Sequence, residues 1–222
     1  MANVTEPAPR PSAAPVAPSD RIVSLDVLRG VAILGILIMN IQSFSMIDAA
    51  YLNPSAYGDL TGVNRLVWTV SHMIADTKFL SIFAMLFGAG IVLFASKLRE
   101  KGISPGPVHY RRTFWLLLIG LAHGYLLWYG DILAVYALVA LIAYLFWTVR
   151  PVPLTIVGLV VLGVSSLLYW LGGMSFTYAP PEALEGMMAF WRPGAETVAE
   201  QLAAYRGSWL DQMSQRAPSM TM

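Results

Sequence analysis

The residues most able to do chemistry are few, because this chain carries few ionisable groups inside its apolar stretches. They are Asp26, Arg29, His72, Asp76, Lys78, His123 and Asp131. Each lies in or beside a run long enough to enter a bilayer. An ionisable group at that depth costs ~2.5–3.5 kcal/mol to insert, so it is a functional candidate by default. Asp26 and Arg29 are spaced i, i+3 and share a helix face, where they can pair. Arg21 adds a second cation just upstream. Arginines at the mouth of a helix suit phosphates, such as those of a lipid or a coenzyme A thioester. The plainer reading is an anchor at the headgroups, with Arg29 snorkelling. Asn40 ends the apolar run of the first span. Its amide suits a bond to a neighbouring helix or, less commonly, a hold on a carbonyl.

Two histidines sit near carboxylates. His72 and Asp76 are i, i+4, a spacing that lets a carboxylate fix the imidazole tautomer for general-base work. The same spacing also arises between two solvated side chains. His123 lies inside an apolar run, beside the Gly120–Gly124 small-xxx-small pair, where another helix can approach. Asp131 follows across a short connection and suits the start of the next helix, where the dipole favours a carboxylate. His123 bonded to a backbone carbonyl or to Asp131 is the structural alternative to catalysis. With three histidines and no cysteine, no metal-ligand set is expected, and disulfide and thiolate chemistry are excluded. The net charge of +1 gives no reason to expect nucleic acid.

The elements that must position these residues read as membrane helices. Of 222 residues, 57% are hydrophobic and 12% charged. Mean hydropathy is +0.62. A soluble domain carries about 25% charge, so most of this surface does not face water. The expected fold is an all-α membrane protein, a polytopic bundle of about five transmembrane helices. The spans fall at about 23–44, 78–96, 113–128, 132–147 and 153–171, with an amphipathic helix near 64–77. In that helix Leu66, Val67, Val70, Met73 and Ile74 share one side. Residues 1–20, rich in Ala, Pro and Ser, read as a disordered cytoplasmic tail with no signal peptide. Residues 21–172 form the transmembrane domain. Residues 173–222 form an extracytoplasmic tail with amphipathic helices.

Orientation follows from lysine and arginine placement. Arg10, Arg21 and Arg29, the cluster Lys97, Arg99, Lys101, Arg111 and Arg112, and Arg150 fall on one side if the N-terminus is cytoplasmic. The loops at 45–63 and 129–131 contain no lysine or arginine. Trp128, Trp147 and Trp170 sit near span ends, as interfacial anchors do.

Three blocks resemble the YeiB family, the domain-of-unknown-function 418 proteins. They are Arg21 to Asn40, Lys78 to Gly90, and His123 to Leu133, together covering a region of roughly 20–170. That family is similar to membrane acyltransferases such as heparan-alpha-glucosaminide N-acetyltransferase and acyltransferase family 3. In the former an Asn stands where Asn40 stands here; in the latter a histidine does. The resemblance implies transfer of an acyl group from cytoplasmic acyl-CoA, a co-substrate rather than a bound cofactor, to an acceptor at the outer face. For such a reaction the residues suggest donor binding by Arg21, Asp26 and Arg29 at the cytoplasmic mouth, Asn40 facing the carbonyl, and a base formed by His123 with Asp131 or His72 with Asp76. This sequence departs from the acetyltransferase in having no His between Asn40 and Asn64. Such proteins are about twice this long, so the chain reads as the front half of a larger protein. The alternatives are a transporter-like protein or a structural membrane protein without activity. The expected partners are the lipid bilayer of the bacterial inner membrane and further copies of the chain.

Overall fold

The computed structural model describes residues 21–220, and every regular element among them is helical. The expected disordered tail at 1–20 lies outside the described residues. The helices are α1 (Val23–Ser45), α2 (Gly62–Ile74), α3 (Lys78–Glu100), α4 (Pro105–Leu126), α5 (Leu133–Ala143), α6 (Pro151–Ser175), α7 (Pro181–Trp191), α8 (Ala195–Arg206) and α9 (Trp209–Ser219). Short 3₁₀ turns follow α1, α5 and α6.

Small residues set the packing. On α1, Ala32, Gly35 and Met39 are buried and share one stripe. The ring of Phe79 on α3 lies directly over Gly35, where any Cβ would collide with it. On α4 the buried stripe is His109, Thr113, Gly120 and Gly124. On α5 it is Ala134, Ala137 and Ala140. The backbones meet where Gly120 faces Leu133 and Ala134; a Cβ there would stand 2.8 Å from the Ala134 Cα. Such stripes let helices approach closely without a water-driven core. α1 packs on α3, and α4 packs on α5, α3 and α9. Phe83 and Phe87 of α3 meet the ring of Tyr136 on α5 edge-on, at 5.4 and 4.8 Å.

The large apolar side chains point the other way. Leu34, Leu138 and Leu162 are 67%, 53% and 63% exposed. α6 has no buried residue at all. In water this would be untenable, since a fully buried leucine gains roughly 1.5–3 kcal/mol over an exposed one. In lipid it carries no penalty. Among the described residues, three stretches are long and apolar enough to cross a membrane: Val23–Phe44, Gly62–Glu100 and Pro151–Tyr178. The second is interrupted at 75–77, where Thr77 adopts a left-handed conformation with φ of 59° and separates α2 from α3.

The expected spans at 113–128 and 132–147 are not among those three. α4 starts at Pro105, with proline in its first turn, and takes His109, Arg111 and Arg112 into the helix. That leaves an apolar part shorter than the ~20 residues a span needs. The apolar helix after it, Leu133–Phe146, is short as well. By length and composition, three of the about five expected spans qualify among the described residues, those at 23–44, 78–96 and 153–171.

Candidate functional site

The closest approach of two candidate groups joins α4 to the start of α5. The turn Trp128-Tyr129-Gly130 folds the chain back, and Gly124 faces the Met220 side chain of the end of α9, which a Cβ there would meet at 2.6 Å. His123 Nδ1 lies 2.9 Å from Asp131 Oδ1. A carboxylate oxygen only accepts, so Nδ1 carries the hydrogen of this contact. The other oxygen, Oδ2, accepts from the Ala134 backbone N–H at 2.8 Å. Asp131 is thereby fixed at two points, with its side chain 1% exposed, while His123 is 35% exposed. A carboxylate that orients an imidazole whose far nitrogen stays reachable is an arrangement suited to proton transfer.

The basic end of the molecule lies opposite. Arg29 sits 3.4 Å from Asp26 and donates to the Leu86 carbonyl on α3 at 3.3 Å. Gly90 lies beneath the guanidinium, and a Cβ there would come 2.7 Å from an Arg29 terminal nitrogen, which would have to shift. Arg21 is exposed just ahead of α1. Arg112 lies over the ring of Phe94 at 4.2 Å, and Arg99 over that of Trp147 at 5.9 Å. These contacts gather α1, α3, α4 and the end of α5 around one cationic rim.

Other candidates are not brought together. α2 ends at Ile74, before Asp76, so the helical i, i+4 geometry is never completed. His72 Nδ1 bonds instead to the Trp68 carbonyl at 2.7 Å, and the two rings lie 4.1 Å apart. Lys78 reaches back to the Asp76 carbonyl at 3.3 Å. Asn40 is half-buried on α1, between the two ends of the molecule. The third histidine, His109, is buried, bonds to the Ala140 carbonyl at 3.0 Å and stacks on Tyr144 at 4.5 Å. Its partners make it a fastener between α4 and α5. Among the described residues no cluster of three or more His, Cys, Asp or Glu could hold a metal.

Sequence reasoning missed a polar cluster at the end away from the arginine rim. Tyr205 on α8 donates to Asp48 at 3.3 Å, and Gln201 accepts from the Asp48 backbone N–H at 3.3 Å. Burial pushes the Asp48 carboxyl above its usual range, against the hydrogen bonds from Tyr129 and Tyr205 that favour its ionised form. Burial and the neighbouring Asp48 raise both tyrosines well above the usual phenol range. Arg216 on α9 is 5% exposed. It donates to the Leu126 carbonyl at 3.1 Å and to Gln212 Oε1 at 3.1 Å. Trp209 Nε1 reaches the same carbonyl at 3.0 Å. A guanidinium there complements the negative end of α4. Apart from Arg216 and Gln212 on α9, the partners stand 81 to 157 residues apart, and only the Ser208–Asp211 capping box of α9 was visible locally. Between these elements lies a cavity of about 370 Å³.

The class this architecture defines is an all-helical protein whose apolar helices are consistent with association with a lipid bilayer. Among known proteins the chain is similar to the uncharacterized protein YeiB of Escherichia coli (strain K12). The two are 45% identical over 125 residues, 56% of this chain and 31% of the relative. It is also 35% identical over 153 residues to the uncharacterized protein YxaH of Bacillus subtilis (strain 168), covering 64% of this chain and 36% of that protein. An uncharacterized 39.9 kDa protein of Bacillus acidopullulyticus is 29% identical over 136 residues, 61% of this chain and 37% of its own length. The matches cover about a third of the length of these relatives. No family model matches the chain, and no solved structure does.

Proposed function

We propose that the chain is the front part of a YeiB-like, five-span protein of the bacterial inner membrane, with its N-terminus cytoplasmic, and that the intact protein transfers an acyl group. The observation that carries this reading is the His123–Asp131 pair, with Asp131 buried and doubly held. The reaction class is taken from the resemblance of the opening, Arg21 to Asn40, to that of membrane acyltransferases. In this reading Arg21 and Arg29, the latter steadied by Asp26, hold the phosphates of cytoplasmic acyl-CoA, and Asn40 donates to the thioester carbonyl. His123 Nε2 takes the proton from an acceptor hydroxyl or amine as that atom attacks the carbonyl carbon. The C–S bond then breaks, and the thiolate leaves with a proton returned from the imidazolium.

The test uses membranes containing the full-length protein and labelled acetyl-CoA. His123→Ala should reduce transfer by the ~10²–10⁴-fold that a positioned base supplies. Arg29→Ala should raise the KM for acyl-CoA. Both variants should insert normally. Unchanged transfer in both would remove the acyl-transfer reading and leave only a membrane protein with a fastened histidine.

A further inference from the structure

The cavity at the Asp48–Arg216 end has walls from five parts of the chain: the end of α1, the loop before α2, the α4–α5 turn, α8 and α9. Its chemistry is mixed. Trp128 and Tyr57 offer ring faces, Tyr129 and Tyr205 offer hydroxyls, and Arg206 and Arg216 offer cations. Arg216 is the unusual one. Its two terminal nitrogens are engaged, yet its Nε is buried without a hydrogen-bond partner. Among the described residues, neither arginine has a carboxylate within ion-pair distance. Asp48 lies nearby on the Tyr205 hydroxyl, but it is not part of the wall. A buried guanidinium without a counter-charge is costly, and an anion in the cavity would answer it. The volume lies at the small end of ligand pockets, which rules out a large cofactor.

We infer that this cavity binds a small hydroxylated organic anion of the sugar-phosphate class: the anion on Arg216 and Arg206, the hydroxyls on Tyr129 and Tyr205, and an apolar ring face on Trp128. A phosphoglycerol lipid headgroup shares that chemistry. This binding is separate from the acyl-transfer reading, because it needs neither donor nor turnover.

The experiment is calorimetric titration of the chain in phosphatidylcholine nanodiscs. Glucose 6-phosphate should bind, with glucose weaker by about tenfold or more, as loss of a charge-assisted contact requires. Arg206→Gln, at an exposed position, should weaken glucose 6-phosphate about fivefold or more without altering thermal stability. Arg216→Lys, which keeps the charge but not the fork, should weaken it further. If that variant fails to fold, Arg206→Gln carries the result. In phosphatidylglycerol nanodiscs, loss of the glucose 6-phosphate heat identifies the headgroup as occupant, and retention identifies the free solute; both support the site. No binding, equal affinity for glucose and glucose 6-phosphate, or an unchanged constant in Arg206→Gln overturns it.

Discussion

Both oxygens of Asp131 are engaged, one by His123 and one by the second backbone N–H of α5. Removing the side chain therefore strands the buried Ala134 N–H and leaves the partly exposed His123 Nδ1–H without its acceptor, at ~1–3 kcal/mol. Asp131→Ala should lower the thermal midpoint in detergent by roughly 2–12 °C, given the ~2–4 °C per kcal/mol of a chain this size. Asp131→Asn keeps one acceptor and should lose less. Equal midpoints for the wild type and Asp131→Ala would mean that the pair holds nothing in place. Asp48 behaves in the opposite sense. Its carboxyl is raised, mainly by burial. The folded state then binds more protons than the unfolded one above pH ~4, so stability falls as pH climbs through the folded value. The contribution is fully present below the unfolded value and is lost above the folded one. Asp48→Asn, which cannot ionise, should match or exceed the wild type at pH 7, with its relative advantage gone near pH 4. Chemical denaturation at the two pH values measures this. A variant weaker at pH 7 than at pH 4, relative to the wild type, would show that the tyrosine hydrogen bonds outweigh the burial.

Between elements, the contact of α4 with α5 depends on the absence of side-chain atoms. A Cβ at Gly120 would press on the Ala134 backbone, whereas one at Gly163 on α6 meets nothing within 4 Å. Gly120→Ala should cost about 1–3 kcal/mol through forced separation of the helices. Gly163→Ala should be neutral or gain up to about 1 kcal/mol from helix propensity. Paired thermal melts in one detergent compare them. The pair also shows what was legible in sequence. The Gly120–Gly124 spacing marked a close approach, and the short turn to Asp131 placed His123 beside it. α1 and α3 were readable because their apolar runs continue almost unbroken, which leaves little choice of register. α4 was not: Pro105 and Pro107 read as loop but sit at the first turn of a helix, where a missing N–H costs nothing. The basic residues after them, Arg111 and Arg112, read as flanking that loop and instead lie within the helix. His72 and Asp76 satisfied the helical spacing, yet the left-handed Thr77 and the end of α2 at Ile74 undo it. The Asp48, Tyr205 and Arg216 cluster had no local signal, because its members meet only when α8 and α9 fold back on the end of α1 and α4.

At the scale of the whole molecule, packing gathers the basic side chains of several helices at one end. Arg29 at Leu86, Arg112 over Phe94 and Arg99 over Trp147 put α1, α3, α4 and α5 in an alternating arrangement with one cationic end. The other end carries Phe44 edge-on to Trp128 at 4.8 Å, the buried Ile47, Ala49 and Ala50, and Val198 and Leu202 of α8 packed against them. Lysine and arginine in short loops set orientation by resisting translocation, so the cationic end should stay in the cytoplasm. The absence of cysteine makes this directly measurable, since a single introduced thiol is the only one present. Leu52, 55% exposed in the loop before α2, marks the opposite end. Ser104, exposed and making no capping bond ahead of α4, marks the cationic end. Treated as intact cells with a membrane-impermeant maleimide, Leu52→Cys should label and Ser104→Cys should not. After permeabilisation both should label. The reverse pattern would place the cationic rim outside, where cytoplasmic acyl-CoA cannot reach Arg21 and Arg29, and the donor-binding reading would fail with it. Labelling of both in intact cells would mean that the two ends share one side. The helices would then lie along the membrane surface, with the exposed leucines of α1 and α6 turned toward it.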